Sequence, residues 1–236
     1  MVPLQGLNMA SSIKAIIFDF DGTLYDFSFI PIRLILHEPY HLFRIRADRV
    51  VRKKLKGRDF DSTEAFEIEY NRLMSKHTHL SPEENFKWYQ ETYVKKTMTR
   101  VLERHYKIRD GLKDFIQSLK KKGMKMAVLS DYPLVTERLL AVGMDQETIA
   151  CFSVISSTQE LGCLKPAKRA FNQIADTLGV PAENCLVVGD RLDTDGEGAR
   201  NSGMKFVQVS DKRQKKESQA MNWKAFTQWA EKEFEL

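Results

Sequence analysis

Cysteine is scarce, with three in 236 residues: Cys151, Cys163 and Cys185. An odd count without Cys-x-x-Cys spacing gives neither a disulfide framework nor a thiolate metal site, so reduced thiols in a cytoplasmic protein are the expectation. Long hydrophobic runs are missing too. No apolar stretch approaches the roughly 20 residues that a membrane-spanning helix requires. The opening MVPLQGLNMASS has neither the basic start nor the apolar centre of a secretory leader. No period of about 20–50 residues recurs and no segment is low in complexity, which argues against solenoids, propellers and disordered polar tracts. What remains is a globular chain. At this length, with 42% hydrophobic residues, it can build a self-sufficient core without metal or disulfide staples.

Charge is uneven. The formal net charge is +5, yet residues 27–108 hold 17 Lys and Arg against 11 Asp and Glu, and 44–58 alone carries eight positive charges and one negative, Asp48. Three readings of that run compete: a solvated helix face, a collar that attracts an anionic substrate, and a nucleic-acid contact. No aromatic residue interrupts Arg44–Arg58, so the stacking platform of single-strand binders is absent and nucleic acid is the least favoured. A solvated face is the expectation, with Arg44, Arg52 and Lys56 off the buried side.

Short apolar runs alternate with helical patterns. IKAIIFD (13–19), MKMAVLS (124–130), FSVISS (152–157), CLVVGD (185–190) and MKFVQVS (204–210) read as strands covered on both faces. Helical patterns at 110–122, 133–142, 166–178 and about 194–202 each stop at a glycine: Gly123, Gly143, Gly179 and Gly203. This alternation predicts an α/β fold, a doubly wound parallel sheet with ligands at the carboxyl ends of its strands. More than a single crossover separates the first two strands, so 27–108 reads as an inserted helical subdomain on a core of 13–26 and 109–236. Helices are expected near 27–36, 40–56, 62–77 and 82–105. Asp61 with Glu64 and Ser81 with Glu84 fit capping boxes, and Pro82 suits a first helical position. Phe43, Ala47, Val51 and Leu55 recur every four residues as one buried stripe.

Chemistry-bearing residues gather at strand ends. Asp19 and Asp21 lie at i and i+2 and project to one side of an extended chain. Gly22 permits a sharp turn there, and Thr23 offers a hydroxyl to fix the second carboxylate. An ordinary Asp-Gly turn is the plain alternative. Ser130 and Asp131 end the second strand. Lys165 precedes Pro166 and a helix, where a solvated helix entry would serve as well. Asp190 ends the strand CLVVGD, while Asp193 and Asp195 follow near a helix start and could be caps. Three acids on one sheet edge repel unless a cation lies among them, and their hard oxygens suit Mg²⁺ with a phosphate co-ligand. Ser130 and Lys165 add a donor and positive charge for an anion. Together these are parts for phosphoryl transfer to a carboxylate.

DFDGT, VLS, LKP and VGDRLDTD, in that order on matching elements, resemble the four motifs of the haloacid dehalogenase-like (HAD) superfamily. The likeness covers 13–26 and 109–210, including LGCLKPAKRAF and GEGARNSGM, and 27–108 falls where that family carries a helical cap. The resemblance implies a Rossmann-like core. It implies that Asp19 is the nucleophile forming an aspartyl-phosphate, and that Asp21 protonates the leaving oxygen and then activates water. Ser130 and the Asp131 amide would hold the phosphoryl group, and Lys165 would neutralise it and Asp19. Mg²⁺ would be bound by the Asp19 carboxylate, the Asp21 backbone carbonyl and Asp190. The longer fourth-motif spacing makes Asp195 the supporting acid, with Asp193 as the alternative. Dehalogenases of the family lack an acid at the Asp21 position. The expectation is therefore a Mg²⁺-dependent phosphatase acting on a small phosphorylated metabolite. A phosphomutase using the same phosphoenzyme, and a protein binding nucleic acid or an acidic partner through its basic segment, are the alternatives. Tyr25, Phe27, Phe29, Arg33 and His37 are candidates for substrate selection by closeness in sequence.

Overall fold

The computed structural model describes residues 12–211 and 220–236; all but the last residue of the opening MVPLQGLNMASS lies outside them. Five strands form one sheet: β1 (Ala15–Phe18), β2 (Lys125–Ser130), β3 (Val154–Ser157), β4 (Cys185–Gly189) and β5 (Lys205–Gln208). Their order is β3-β2-β1-β4-β5 and every pairing is parallel. This is the doubly wound α/β sheet that the apolar runs predict.

Alternation along the strands sorts side chains to two faces. Ile16, Phe18, Met126, Val128, Leu186 and Val188 share one apolar cluster, and Ala15, Ile17, Ala127, Leu129 and Val187 share the other. Between β1 and β2 run α1 (Ile30–His37), α2 (Leu42–Leu55), α3 (Thr63–Thr78), α4 (Pro82–Lys87) and α5 (Thr99–His105); a π-helical stretch, Trp88–Met98, joins the last two. α6 (Leu112–Lys121) also precedes β2; after it come α7 (Val135–Ala141), the short α8 (Gln146–Ile149), α9 (Lys168–Leu178), α10 (Glu197–Asn201) and α11 (Trp223–Phe234). The apolar side chains of α6 and α11 fill the first cluster, and those of α9 fill the second. Both faces are covered, as continuous apolar strands require. Tyr25 and Ile108 pair antiparallel where the chain leaves for α1–α5 and returns.

Two helix-level expectations need correction. The cap of α3 is Ser62, not Asp61: the Ser62 hydroxyl accepts from the Ala65 amide at 3.1 Å. Asp61 takes φ 63° and donates its amide to Asp59, a local turn that delays the helix by one residue. The capping box at Ser81 and Glu84 forms, with Pro82 in the first turn. On α2 the buried positions are Ile45, Ala47, Asp48, Val51 and Leu55. Phe43, in the first turn, is 48% exposed, with the Arg44 guanidinium beside its ring.

Register explains why the strand ends converge. Phe18 lies level with Val128 on one side and Val188 on the other. Asp19 therefore leaves the central strand between the Ser130 end of β2 and the Gly189-Asp190 end of β4. The strand order places β1 in the middle, so residues more than 100 positions apart meet at one edge.

Candidate active site

Asp19 continues the β1 ladder, donating its amide to the Val188 carbonyl at 2.8 Å. Its carboxylate is buried and fully engaged. Oδ1 accepts from Lys165 Nζ at 2.7 Å, and Oδ2 accepts from Thr23 Oγ1 at 2.9 Å. Thr23 thus fixes the first carboxylate and not the second. The turn from Phe20 to Leu24 folds residue i+4 back over the strand end, with Thr23 and Leu24 amides donating to the Phe20 carbonyl. Lys165, 3% exposed, also donates to Asp195 Oδ1 at 2.7 Å.

Asp190 completes an acidic group. One carboxylate oxygen each from Asp19, Asp190 and Asp195 lies within 4.8 Å of the others. Two glycines permit this approach. A Cβ on Gly22, whose φ is +91°, would stand 2.6 Å from Asp190 Oδ2, and one on Gly189 would stand 2.5 Å from the Asp195 side chain. Asp195 is buried within the group. Asp193 is on the rim, bonded to Lys56 and Arg191, and the Arg191 guanidinium holds its carboxyl well below the usual range.

Burial raises the Asp19 carboxyl well above its ordinary value; Lys165 opposes that, while Asp195, Asp190 and Asp21 add to it. Burial disfavours the Lys165 ammonium, yet Asp19 and Asp195 more than offset it and raise its pKa. Three carboxylates thus gather about the Lys165 ammonium, which bonds two of them. Closely spaced hard oxygens of this kind fit a small divalent cation.

A second network holds Asp21. Arg138 Nη2 bonds both its oxygens at 2.5 and 2.6 Å, Tyr25 donates to Oδ1 at 2.6 Å, and Ser130 donates to Oδ2 at 3.1 Å. Arg138 is fully buried and also reaches Ser130 Oγ and the Tyr132 carbonyl. Asp131 is turned elsewhere: its Oδ1 accepts from Thr158 Oγ1 and the Lys165 amide, tying the ends of β2 and β3 to the Lys165 segment.

The basic run is not uniformly solvated. Arg52 is 10% exposed in its side chain and correction is needed there. It donates to Asp48, to the Tyr89 hydroxyl, to Gln159 and to the Asp131 carbonyl, and stacks 3.8 Å over the Tyr132 ring. Asp48, wholly buried on the apolar stripe of α2, creates the demand for that cation, with Tyr70 also donating to it. α2 is thereby bonded to the loop after β2.

Of the residues near Asp21 in sequence, Tyr25 joins the site, and Phe27 lines a 130 Å³ cavity beside Asp190. Arg33 and His37 bond the end of α5, and Phe29 stands in solvent. The sequence pattern does not single out Arg138, and it sets Arg52 on the solvated side of α2. Yet Arg138 shares the stripe of Val135, Leu139 and Val142, a spacing that sends it inward, and Arg52 lies four residues after Asp48, within reach of an ion pair.

The sequence pattern of haloacid dehalogenase-like hydrolases matches residues 13–203. The chain belongs to this family. It is a hydrolase. A mouse N-acylneuraminate-9-phosphatase is 26% identical over 210 residues, 83% of this chain and 81% of that protein. A Methanopyrus kandleri glyceraldehyde 3-phosphate phosphatase is 31% identical over 96 residues, a match spanning 40% of each protein. Among solved structures, a 2-haloacid dehalogenase from Pseudomonas syringae shares the fold, with a TM-score of 0.62 at 16% identity over 93% of this chain and 97% of that one.

Proposed function

We propose that the protein is a Mg²⁺-dependent phosphatase that cleaves a small phosphorylated metabolite through an aspartyl-phosphate on Asp19, and that it acts in the cytoplasm. It is a phosphoric monoester hydrolase of the haloacid dehalogenase-like family. The observation that carries the reading is the buried Asp19 carboxylate, bonded to Lys165 and grouped with Asp190 and Asp195. In this proposal 13–26 and 109–236 are the catalytic core. The segment 27–108 is a cap, supported by the α2 side chains that line a cavity reaching Lys165.

Asp19 and Asp190 would hold the cation, with Asp195 in support. When bound, a divalent cation there supplies positive charge against the phosphoryl oxygens. An Asp19 oxygen attacks phosphorus and the ester P–O bond breaks. The leaving oxygen takes a proton from Asp21; water then attacks the acyl phosphate, returns a proton to Asp21 and frees Asp19. Because Arg138, Ser130 and Tyr25 hold both Asp21 oxygens, that role calls for the side chain to rotate from Arg138 toward the substrate. Lys165 offsets charge on Asp19 and the transferring group, and Ser130 with the Asp131 amide holds the phosphoryl oxygens.

Phosphate release across a panel of phosphorylated metabolites tests the reading. Turnover by Asp19→Asn should fall to background with the fold intact by circular dichroism. A variant keeping a tenth of the activity, a barrier change of only about 1.4 kcal/mol, rules out Asp19 as nucleophile. Isomerised product in place of free phosphate rules out hydrolysis as the main reaction.

A further inference from the structure

The larger cavity at the site, 390 Å³ in volume, holds more positive charge than the transferring phosphoryl group uses. Lys165 and Arg191 reach it from the core, Arg49, Arg52 and Lys53 reach it from α2, and Lys56 reaches it from just past the end of that helix. Arg49, Arg52 and Lys53 are spaced i, i+3 and i+4 on one face of α2, beside the buried face of Ile45, Asp48, Val51 and Leu55. Four of the six cations are engaged. Lys165 bonds Asp19 and Asp195, Arg52 bonds Asp48, and Lys56 and Arg191 share Asp193.

Arg49 and Lys53 are left over. Among the described residues neither makes a hydrogen bond or ion pair. They stand four apart on one helix face, where like charges repel, and both face the cavity. An anion between them would turn that repulsion into attraction. The volume suits a small molecule.

We infer that the substrate is a phosphate monoester bearing a second anionic group, a carboxylate or another phosphate, held by Arg49 and Lys53 at the α2 wall. The inference rests on the phosphatase reading above. Matched substrates isolate the second charge. 3-Phosphoglycerate differs from glycerol 3-phosphate by a carboxylate in place of a hydroxymethyl group, and fructose 1,6-bisphosphate differs from fructose 6-phosphate by one phosphate. In at least one pair the more anionic member should have a kcat/KM at least tenfold higher, and the pair that responds identifies the group. The double variant Arg49→Gln/Lys53→Gln should reduce that ratio tenfold or more, through KM. Arg46→Gln/Lys54→Gln removes the same charge from α2 positions outside the cavity and should leave the ratio within twofold.

Ratios below tenfold in both pairs overturn the inference. So does an equal fall in both double variants, which would mean steering by net charge. Asp19-dependent turnover that ignores the second charge defeats only this inference. Absence of Asp19-dependent phosphate release from any substrate, para-nitrophenyl phosphate included, defeats the phosphatase reading itself.

Discussion

Arg138→Met is the sharpest probe of the site's foundations. The Arg138 side chain is fully buried, while that of Asp21 is 15% exposed, and the two are joined by Nη2 bonds to both carboxylate oxygens. Removing one partner of such a pair leaves an uncompensated charge and costs about 3–5 kcal/mol. One correction lowers the figure. Arg138 Nε is buried without an acceptor, and methionine removes that unsatisfied donor, recovering about 1 kcal/mol. The net expectation is about 2–4 kcal/mol, or a Tm lower by roughly 4–16 °C for a chain of this size. Asp21→Asn should also destabilise, since it strands the guanidinium. The new side-chain amide would still accept from Tyr25 or Ser130, so the double variant should recover much of the loss. The cycle, measured by urea unfolding, should give a coupling energy above about 1.5 kcal/mol. Additive single effects, or a loss below about 1 kcal/mol for Arg138→Met, would mean that the pair is relaxed by water, refuting the buried-pair argument.

Two further outcomes follow from titratable groups. Because the folded-state Asp19 pKa lies above its ordinary 3.8, the folded chain binds more protons than the unfolded chain between those values. In EDTA the stability contribution of Asp19 should therefore fall as pH rises through that window; Mg²⁺ binding there should release protons, seen by calorimetry in buffers of different ionisation enthalpy. An unchanged pH slope in Asp19→Asn would refute this. The three thiols are buried and unpaired, and burial pushes Cys163 up to about 12 and Cys185 up to about 11. Since the thiolate is the reactive form, the native protein should react slowly with a disulfide reagent and release three equivalents only on unfolding. Rapid stoichiometric labelling of native protein would contradict their burial.

The core was legible because its strands are nearly uninterrupted apolar runs and its helices stop at glycines, so each local signal agreed with the sheet. Strand ends were legible for the same reason: Asp19, Ser130 and Asp190 each follow such a run, and parallel register brings them together. Contacts made after the chain turns were not. Thr23 reaches Asp19 only because the turn after Phe20 reverses its direction, and the offset of a single residue moved the α3 cap from Asp61 to Ser62. The deeper omission concerns charged residues on apolar stripes. Amphipathic reading assigns Arg and Asp to solvent by type, yet Asp48 and Arg138 occupy positions that helical spacing sends inward. A charge in such a position must be compensated, and its partner need not be nearby in sequence. Arg138 meets Asp21 across 117 positions, and Arg52, drawn in by Asp48, meets the Asp131 carbonyl across 79. Both connections end beside Asp19, so these two inward charges join the helices to the site before any substrate contact is considered.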